Sequence, residues 1–470
     1  MLGTSTIPGV ADAAVARASV EPSLADEAAN AAAAAFGDWS GRPAEARVAL
    51  LGEVAEALGA ARDRLVALAA REVGAAPAWI DFNIAIAQAM LKETATLPPL
   101  LAERRITHAG RGTTSLLRRQ PVGVVLSFAP WNAPVTLAVR ALAAPLACGN
   151  TVVLVASDHC PETQRAVVEV FREAGLPAGA ATVVTNRPAE SEAVSRALIA
   201  HPAVRRITFT GSTRVGRHIA AMAAPELKRC LLELSGKAPL IVLPDADLDA
   251  AVEAAAFGAF FNQGQICIAT ERIILVGDAA DAFVPRLVAR AATLRAADPA
   301  EEAAPLGRLI NAAAGARLSA LIEDARAKGA ELLIGGEVAG PVMQPAVLDR
   351  VDATMRIYHE EAFGPVAAIL RVADVEEAIS IANDSELGLA AAVFSRDADA
   401  AMAVADRLET GICQINGPTV YDDPAMPFGG MKASGYGRFG GPAAIEEFTE
   451  LRWIAQHQAG AATRHSTLMS

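Results

Sequence analysis

The stretch that decides the fold is residues 122–155, VGVVLSFAPWNAPVTLAVRALAAPLACGNTVVLV. It opens and closes with short apolar runs, at 122–128 and 151–155, each of the length of a buried strand. Between them, residues 136–147 have the apolar periodicity of a helix and are followed by a Gly-Asn turn at 149–150. A strand, a helix and a second strand in this order predict one unit of a parallel sheet.

The alternation of strands and helices continues on both sides of this stretch. Upstream, residues 23–71 have the spacing of helices. Further strands are predicted downstream at 181–185, 205–209, 239–242, 272–276, 332–334, 391–394 and 412–415. We therefore predict an α/β protein with two doubly wound domains, divided near Ser235-Gly236.

Two segments do not fit this alternation. Residues 104–119 are polar, basic and alternating, with Gly110 and Gly112 at the centre, which predicts a protruding hairpin. Residues 448–455 predict a late strand. Because both lie outside the main sheets, we expect a small β element that contacts other subunits.

Composition limits the classes of function. A chain of 470 residues exceeds one hydrophobic core, and its net charge of −12 with 4% aromatic residues argues against a nucleic-acid partner. The five cysteines form no CxxC pair, so neither a disulfide framework nor a zinc site is expected. No apolar run approaches ~20 residues, and residues 1–35 lack a signal-peptide pattern. We expect a cytoplasmic protein without membrane contact.

One cysteine stands out, Cys267, in the segment FFNQGQICIAT at 260–270. It lies between Ile266 and Ile268, directly after a polar, glycine-containing turn. A thiol at the mouth of an apolar slot suits a nucleophile, because its surroundings set the reactive thiolate fraction. A lone cysteine is more often a core residue, however. This segment alone leaves both interpretations open.

Two polar side chains are candidates to serve such a thiol. Glu233 lies in the leucine-rich segment 231–237, either as a general base with a raised pKa or as a carboxylate that is paired with Lys237 or placed at an edge. Asn132 lies between two prolines, where its amide either donates to a developing oxyanion or caps a helix.

Three further loops are candidate binding segments, and none is decisive alone. Residues 207–218 place Gly211 and hydroxyls at a helix start, which suits a phosphate or an ordinary N-cap, but the Lys-Ser/Thr pair of a P-loop is missing. Residues 360–366 combine carboxylates with an aromatic, either to hold a ribose and a flat ring or as a plain loop. Residues 426–440 are glycine-rich and allow close backbone approach.

Together and in this order, these motifs resemble the NAD(P)-dependent aldehyde dehydrogenase superfamily over residues 35–455. The resemblance rests on PWN (130–132), GNTVVL (149–154), FTGSTxVG (209–216), LELSGK (232–237), GQxC (264–267), ExFGP (361–365) and PFGGxK (427–432). It implies an aldehyde dehydrogenase-like fold with an NAD-binding Rossmann-like domain (1–103 and 122–235), a catalytic domain (236–433) and an oligomerisation element (104–121 and 434–470).

The resemblance also implies roles for individual residues. Cys267 would be the nucleophile, Glu233 the general base, and Asn132 with the Cys267 N–H the oxyanion hole. The residues implied to bind the cofactor are Phe128, Trp131, Ser157, Asp158, Gly211, Ser212, Val215, Leu234, Glu361 and Phe363. Those proposed for the substrate pocket are Ile266, Ile268, Tyr421 and Phe428. No metal is expected.

The implied chemistry is an oxidation through a covalent intermediate. The Cys267 thiolate adds to the aldehyde, the thiohemiacetal passes hydride to NAD, and Glu233 activates the water that hydrolyses the thioester. Relatives that transfer the acyl group to coenzyme A generally lack a base at this position, so we expect hydrolysis.

Four positions depart from the pattern of the family. Val155 stands where a lysine usually binds the adenosine ribose, and Asp158 where glutamate is frequent. A carboxylate at 158 accepts hydrogen bonds from ribose hydroxyls and repels a 2′-phosphate, which favours NAD over NADP. Arg140 replaces a common lysine and Ser235 a common glycine, and the sequence explains neither.

The substrate class follows from a narrower resemblance. Residues 140–150 and 417–454 are similar to the benzaldehyde, salicylaldehyde and vanillin dehydrogenase branch. We therefore expect NAD-dependent oxidation of a small aromatic aldehyde to its acid, by a homodimer or homotetramer. The alternatives are an aliphatic or semialdehyde dehydrogenase and a non-catalytic homologue, which only Val155 supports.

Overall fold

The computed structural model describes residues 22–108 and 113–457. The helices are α1 (Pro22–Ser40), α2 (Ala44–Ala60), α3 (Arg62–Val73), α4 (Pro77–Glu93), α5 (Pro98–Leu101), α6 (Pro134–Ala147), α7 (Pro161–Glu173), α8 (Ser191–Ala200), α9 (Thr213–Ala223), α10 (Leu248–Phe260), α11 (Ala279–Ala292), α12 (Ala312–Ala327), α13 (Arg356–His359), α14 (Val375–Asn383), α15 (Ala398–Ala405) and α16 (Gly441–Phe448). The strands are β1 (Arg104–His108), β2 (Thr113–Pro121), β3 (Val124–Phe128), β4 (Thr151–Val155), β5 (Ala181–Val184), β6 (Val204–Thr210), β7 (Arg229–Glu233), β8 (Ala238–Val242), β9 (Thr270–Val276), β10 (Glu331–Ile334), β11 (Val338–Ala339), β12 (Val342–Met343), β13 (Ala346–Asp349), β14 (Val366–Val372), β15 (Leu387–Gly388), β16 (Ala390–Phe394), β17 (Ile412–Ile415), β18 (Met431–Lys432), β19 (Gly435–Tyr436) and β20 (Thr449–His457).

A six-stranded sheet has the strand order β19-β7-β6-β3-β4-β5. All neighbours are parallel except β19, which pairs antiparallel with β7. Strand β4 shows why the sheet is covered on both faces. Val152 and Leu154 join the apolar cluster of α2, α4, α6 and α7, whereas Val153 and Val155 join that of α1, α8 and α9. A parallel strand buried on both faces is continuously apolar, as this one is.

A seven-stranded sheet has the order β10-β13-β14-β9-β8-β16-β17. It is parallel except for β10, an antiparallel edge strand. Alternate residues of β9 again point to opposite faces: Ile274 and Val276 pack with α12, α14 and α15, and Ile273 and Leu275 with α10 and α11. The predicted α/β class with two doubly wound sheets is confirmed.

A third, antiparallel sheet contains β1, β2 and β20. The predicted hairpin and late strand therefore pair with each other along Thr113–Pro121 and Thr449–His457. Within the described part of 434–470, β20 joins this sheet, whereas β19 pairs with β7 and α16 packs on α6.

Three expectations fall wholly or partly on residues outside the described ranges. They are the turn glycines Gly110 and Gly112 of the hairpin, the absence of a signal peptide at 1–35, and the last residues of the C-terminal tail. Among the residues that the structure describes, no helix combines the length and the apolar character needed to span a membrane.

Candidate active site

The connection between the two large sheets brings Glu233 and Cys267 together. Strand β7 ends at Glu233, and residues 234–237 lead straight into β8 of the other sheet. Strand β9, which starts three residues after Cys267, pairs with β8. The two segments therefore touch, and a Cβ built on Gly236 would lie 2.0 Å from the carbonyl oxygen of Cys267. Only glycine fits this close approach.

The predicted site residues line three adjoining cavities. The first, of about 360 Å³, has Trp131, Asn132, Gly211, Ser212, Glu233, Leu234, Cys267, Glu361 and Phe363 in its wall. The second, of about 380 Å³, has Phe128, Trp131, Ser157, Asp158, Gly211, Ser212 and Val215. The third, of about 50 Å³, has Asn132, Ile266, Cys267, Ile268, Tyr421 and Phe428. All predicted site residues therefore lie at one continuous region, and Cys267 and Asn132 belong to both its first and its third cavity.

Glu233 is a buried carboxyl without a counter-ion. It is 1% exposed, and neither of its oxygens accepts a hydrogen bond of normal geometry from a described residue. Burial raises its pKa to about 7, partly offset by the positive charge of Arg140 and the adjacent Cys267 thiol. The alternative that Lys237 neutralises Glu233 is wrong, because the Lys237 ammonium donates to Glu271 (2.7 Å) and to the Glu360 carbonyl (2.7 Å).

The surroundings of Cys267 favour the protonated thiol over the thiolate. Burial raises its pKa well above the usual value, and the negative charge of Glu233 raises it further. Cys267 is nevertheless half-buried, not a core residue. A protonated thiol beside a carboxyl with a pKa near neutrality is suited to proton transfer between the two.

Asn132 is fixed through its backbone and does not cap helix α6. Its carbonyl oxygen accepts hydrogen bonds from Trp79 Nε1 (2.8 Å) and Asn262 Nδ2 (3.0 Å), and its own Nδ2 donates to the Gln265 carbonyl (3.1 Å). The N-cap of α6 is Ala133, without a side-chain cap. The amide is thus held beside the segment that carries Cys267.

The start of helix α9 is open to the second cavity. Ser212 is the N-cap, and its Oγ accepts a hydrogen bond from Val215 N at 3.4 Å. Gly211 has no room for a side chain, because a Cβ would lie 2.7 Å from the ring of Phe209. The N-cap is therefore real, and Gly211, Ser212 and Val215 at the start of this 11-residue helix line the second cavity, where the positive end of the helix dipole suits an anion.

The loop 360–363 carries the other predicted cofactor contacts. Glu361 Oε1 accepts a hydrogen bond from Gly236 N at 3.0 Å, and burial raises the pKa of this carboxyl to about 7. Phe363 has a positive φ of 47° and packs edge-on against Trp131, with ring centroids 5.7 Å apart. The Glu361 carboxyl and the Phe363 ring thus line the first cavity together with Cys267.

Two buried ion pairs at the site were not predicted from the sequence. Arg140 pairs with Asp422 and stacks over the ring of Phe428, 4.1 Å from its centroid. Lys237 pairs with Glu271. The segment Tyr-Asp-Asp at 421–423 was visible as a charged insertion in an apolar region, but its partner lies 282 positions away. The structure therefore explains Arg140, the replacement for a common lysine.

Ser235, the replacement for a common glycine, also has partners. Its Oγ accepts a hydrogen bond from Thr213 N at 3.5 Å, and its carbonyl oxygen accepts one from Ser434 Oγ at 2.6 Å. The residue after the candidate base is thus tied to the start of α9.

Comparison with known proteins gives the family. The chain belongs to the aldehyde dehydrogenase family, whose model matches residues 8–454, and is therefore an oxidoreductase. It is 53% identical over 440 residues to a vanillin dehydrogenase of Pseudomonas fluorescens, covering 94% of this chain and 91% of the relative. It is 44% identical over 429 residues to a salicylaldehyde dehydrogenase of Pseudomonas putida, covering 91% and 89%.

The solved structures agree with this assignment. The crystal structure of a salicylaldehyde dehydrogenase from Pseudomonas putida G7, complexed with salicylaldehyde, matches with a TM-score of 0.91 and 43% identity, covering 94% of this chain and 92% of that one. The predicted family and the prediction of an enzyme are confirmed. The family uses NAD or NADP, and relatives of both kinds match this chain.

Proposed function

We propose that the protein oxidises small aromatic aldehydes to carboxylic acids with NAD as the hydride acceptor. The observation that carries the proposal is the position of Cys267 and Asn132, which line both the first cavity, of about 360 Å³, and the apolar third cavity. A reacting carbonyl at Cys267 therefore has its ring in the pocket and its hydrogen toward the cleft.

The residues divide the reaction between them. Glu233 takes the thiol proton of Cys267, and the thiolate attacks the aldehyde carbon. The Asn132 amide and the Cys267 N–H donate to the oxygen that becomes negative, each donor being worth ~3 kcal/mol. NAD, when bound, supplies the acceptor for the hydride. Loss of the hydride leaves an acyl group on the Cys267 sulfur. Glu233 first releases the thiol proton to solvent and then takes a proton from the water that attacks this thioester. The acid leaves, and Glu233 returns this second proton to the Cys267 thiolate.

The second cavity fits a dinucleotide. The start of α9 with Gly211 and Ser212 suits the pyrophosphate, while Phe128 and Val215 give apolar walls for the adenine. Asp158 is exposed at the edge of this cavity, where its charge disfavours a 2′-phosphate. On this proposal, residues 1–103 and 122–235 bind the cofactor, 236–433 supply the catalytic domain, and 104–121 with 434–470 supply the oligomer contact of a homodimer or homotetramer.

The wall of the third cavity suits an aromatic ring better than a charged chain. Trp79, Phe82, Ile266, Ile268 and Phe428 give it an apolar wall. Its one cation, among the residues that line it, is Arg140, whose charge is already neutralised by Asp422. A substrate carboxylate such as that of succinic semialdehyde therefore meets no free positive charge there, which favours the aromatic alternative.

Substitution of the nucleophile tests the mechanism. Cys267→Ala removes the sulfur that holds the substrate, so we expect loss of NADH production from vanillin, salicylaldehyde and benzaldehyde, with NADH binding retained by fluorescence titration. Cys413→Ala is the matched control, because Cys413 is also a half-buried free thiol and should leave turnover intact. Turnover by Cys267→Ala contradicts the mechanism.

The same assay on the wild-type enzyme tests the substrate and the cofactor. We expect kcat/KM to be higher for the three aromatic aldehydes than for succinic semialdehyde, and higher with NAD than with NADP. A preference for succinic semialdehyde contradicts the proposed substrate class, and a preference for NADP contradicts the role given to Asp158.

A further inference from the structure

We propose that the buried ion pair of Lys237 and Glu271 is a positioning device for the loop 360–363, and that it sets how the nicotinamide end of the cofactor is held. The inference rests on the proposed cofactor roles of Glu361 and Phe363. Lys237 and Glu271 themselves do not line the three cavities of the site, so neither touches substrate or cofactor.

Three hydrogen bonds connect the loop 360–363 to this ion pair. Glu271 Oε2 accepts from Ala362 N and Oε1 accepts from Phe363 N, both at 2.9 Å. Lys237 Nζ donates to the Glu360 carbonyl oxygen at 2.7 Å and to Glu271 Oε2 at 2.7 Å. Both carboxylate oxygens are therefore engaged with the loop backbone, and the ammonium holds the loop at its other end.

The pair is itself rigidly placed. The Lys237 carbonyl oxygen accepts hydrogen bonds from Arg272 Nε (3.3 Å) and Nη2 (3.2 Å), and Arg272 also donates to the Ala382 carbonyl near the end of α14 (2.9 Å). The side chains of Lys237 and Glu271 are 0% and 5% exposed. The loop 360–363 is therefore held in one position by these buried side chains and is not free to move in solvent.

Stability alone is a poor explanation for the pair. A buried ion pair is often no more stabilising than apolar residues of the same volume, because both charges must be desolvated. This pair instead fixes a costly conformation, since Phe363 has a φ of 47° and its N–H is the donor to Glu271. The result is a fixed orientation of the Phe363 ring against Trp131.

The pair also links the loop to both catalytic segments. Glu271 is four residues after Cys267, and Lys237 is four residues after Glu233. Between them, Gly236 N donates to Glu361 Oε1 at 3.0 Å. On the outer side, Arg317 donates to the Glu361 carbonyl oxygen at 3.0 Å. The loop is thus held on its outer side by Arg317 and on its inner side by Lys237 and Glu271. This ion pair fixes the position of the loop relative to the Cys267 thiol.

The test is to remove the charge of Glu271 and compare two reactions of the same protein. In Glu271→Gln one oxygen becomes an NH₂ group, which cannot accept the loop N–H and faces it as a donor. We expect the KM for NAD to rise about tenfold or more and kcat for aldehyde oxidation to fall, since small misplacements near reacting groups cost up to about a hundredfold. Hydrolysis of 4-nitrophenyl acetate needs Cys267 and no hydride acceptor, so we expect it to stay within about threefold.

A second variant covers the case in which Glu271→Gln prevents the protein from folding because the Lys237 charge is left buried without its partner. Lys237→Met with Glu271→Gln removes both charges, so no ion is left buried without a partner, but it still withdraws the two anchors of the loop. We expect the same split between aldehyde oxidation and ester hydrolysis in this double variant.

The matched control is Asp349→Asn, in an ion pair with Arg371 on the same seven-stranded sheet. The Asp349 side chain is 3% exposed and lines none of the three cavities, so both reactions should stay within about threefold. The inference is overturned if the two reactions fall by the same factor in the Glu271 variants, or if the KM for NAD does not change. Failure of the wild-type enzyme to use any aldehyde would instead overturn the proposed function.

Discussion

Glu233 is a residue whose proposed chemistry conflicts with stability. The native state holds its proton up to a pH of about 7, whereas the free side chain titrates near 4.5. Between these values the native state binds more protons than the unfolded chain, so the contribution of this carboxyl to stability falls as pH rises through that window. Above about pH 7 the full cost of ionising the buried Glu233 carboxyl is subtracted from the stability, up to about 3 kcal/mol.

Glu233→Gln should therefore separate stability from activity. At pH 8 we expect a higher free energy of unfolding in urea, with the gain vanishing toward pH 4.5, and a loss of at least about a hundredfold in kcat because the base is gone. Glu253→Gln, on the exposed side of α10, should change neither quantity. Equal or lower stability of the Glu233 variant at pH 8 contradicts the assignment of an unpaired buried carboxyl.

At the residue scale, the sequence identifies groups and not their partners. Cys267, Glu233 and Asn132 could be named because each lies in a short local motif, and the structure brings all three to one cavity. The Arg140–Asp422 pair could not, because its members are 282 positions apart and only the packing of two sheets decides that they meet.

At the scale of elements, helix α4 supports the candidate oxyanion donor. Trp79 on α4 donates to the Asn132 carbonyl and packs edge-on against Phe261, with ring centroids 5.1 Å apart. Phe82, one turn further along, faces the same pocket without a hydrogen bond to Asn132. The helix therefore both supports Asn132 and contributes to the wall of the proposed substrate pocket.

Trp79→Phe should weaken catalysis on every aldehyde alike. It keeps a ring against Phe261 but loses the N–H, worth about 1 kcal/mol, so we expect kcat/KM to fall about fivefold, with the KM for NAD unchanged. Phe82→Leu is the control, because it alters the pocket wall and should change the ranking of the aldehydes. If Trp79→Phe changes the order of preference among the aldehydes and does not lower kcat/KM for all of them, the support of Asn132 by Trp79 is contradicted.

Most elements could be predicted because their apolar periodicity is strong. Strands 151–155 and 412–415 have the predicted bounds, and β9 begins at Thr270, two residues before its predicted start. Strand β19 was not predicted, since two residues in a glycine-rich segment have no periodicity. Its place is fixed by its partner, with Gly435 opposite Glu233.

At the scale of the whole molecule, β20 is an exposed edge. It pairs with β2 on one side, and no described strand pairs with it on the other. Leu451 and Trp453, two residues apart and so on one face, are 57% and 68% exposed. An open edge with large apolar side chains is a surface that a second subunit can cover.

Charge on β20 should dissociate the proposed oligomer. We expect Leu451→Glu with Trp453→Glu to lower the mass measured by light scattering at micromolar concentration, because buried carboxylates would repel across a contact between subunits. Met402→Glu, at a 51% exposed residue on α15, should leave the mass unchanged. An unaltered mass in the β20 variant excludes this strand from the contact.

The pairing of β19 with β7 also has a consequence for synthesis on the ribosome. Gly435 lies opposite Glu233, and Leu234 N donates to the Ser434 carbonyl oxygen at 3.0 Å. Translation delivers Glu233 and Cys267 long before residues 434–436 leave the exit tunnel. The nascent chain therefore contains Cys267 while β7 still lacks its pairing with β19. Because this pairing joins residues far apart in the sequence, it forms late in folding. An interrupted translation product should then be catalytically silent, although it contains the nucleophile, the base and the oxyanion donor.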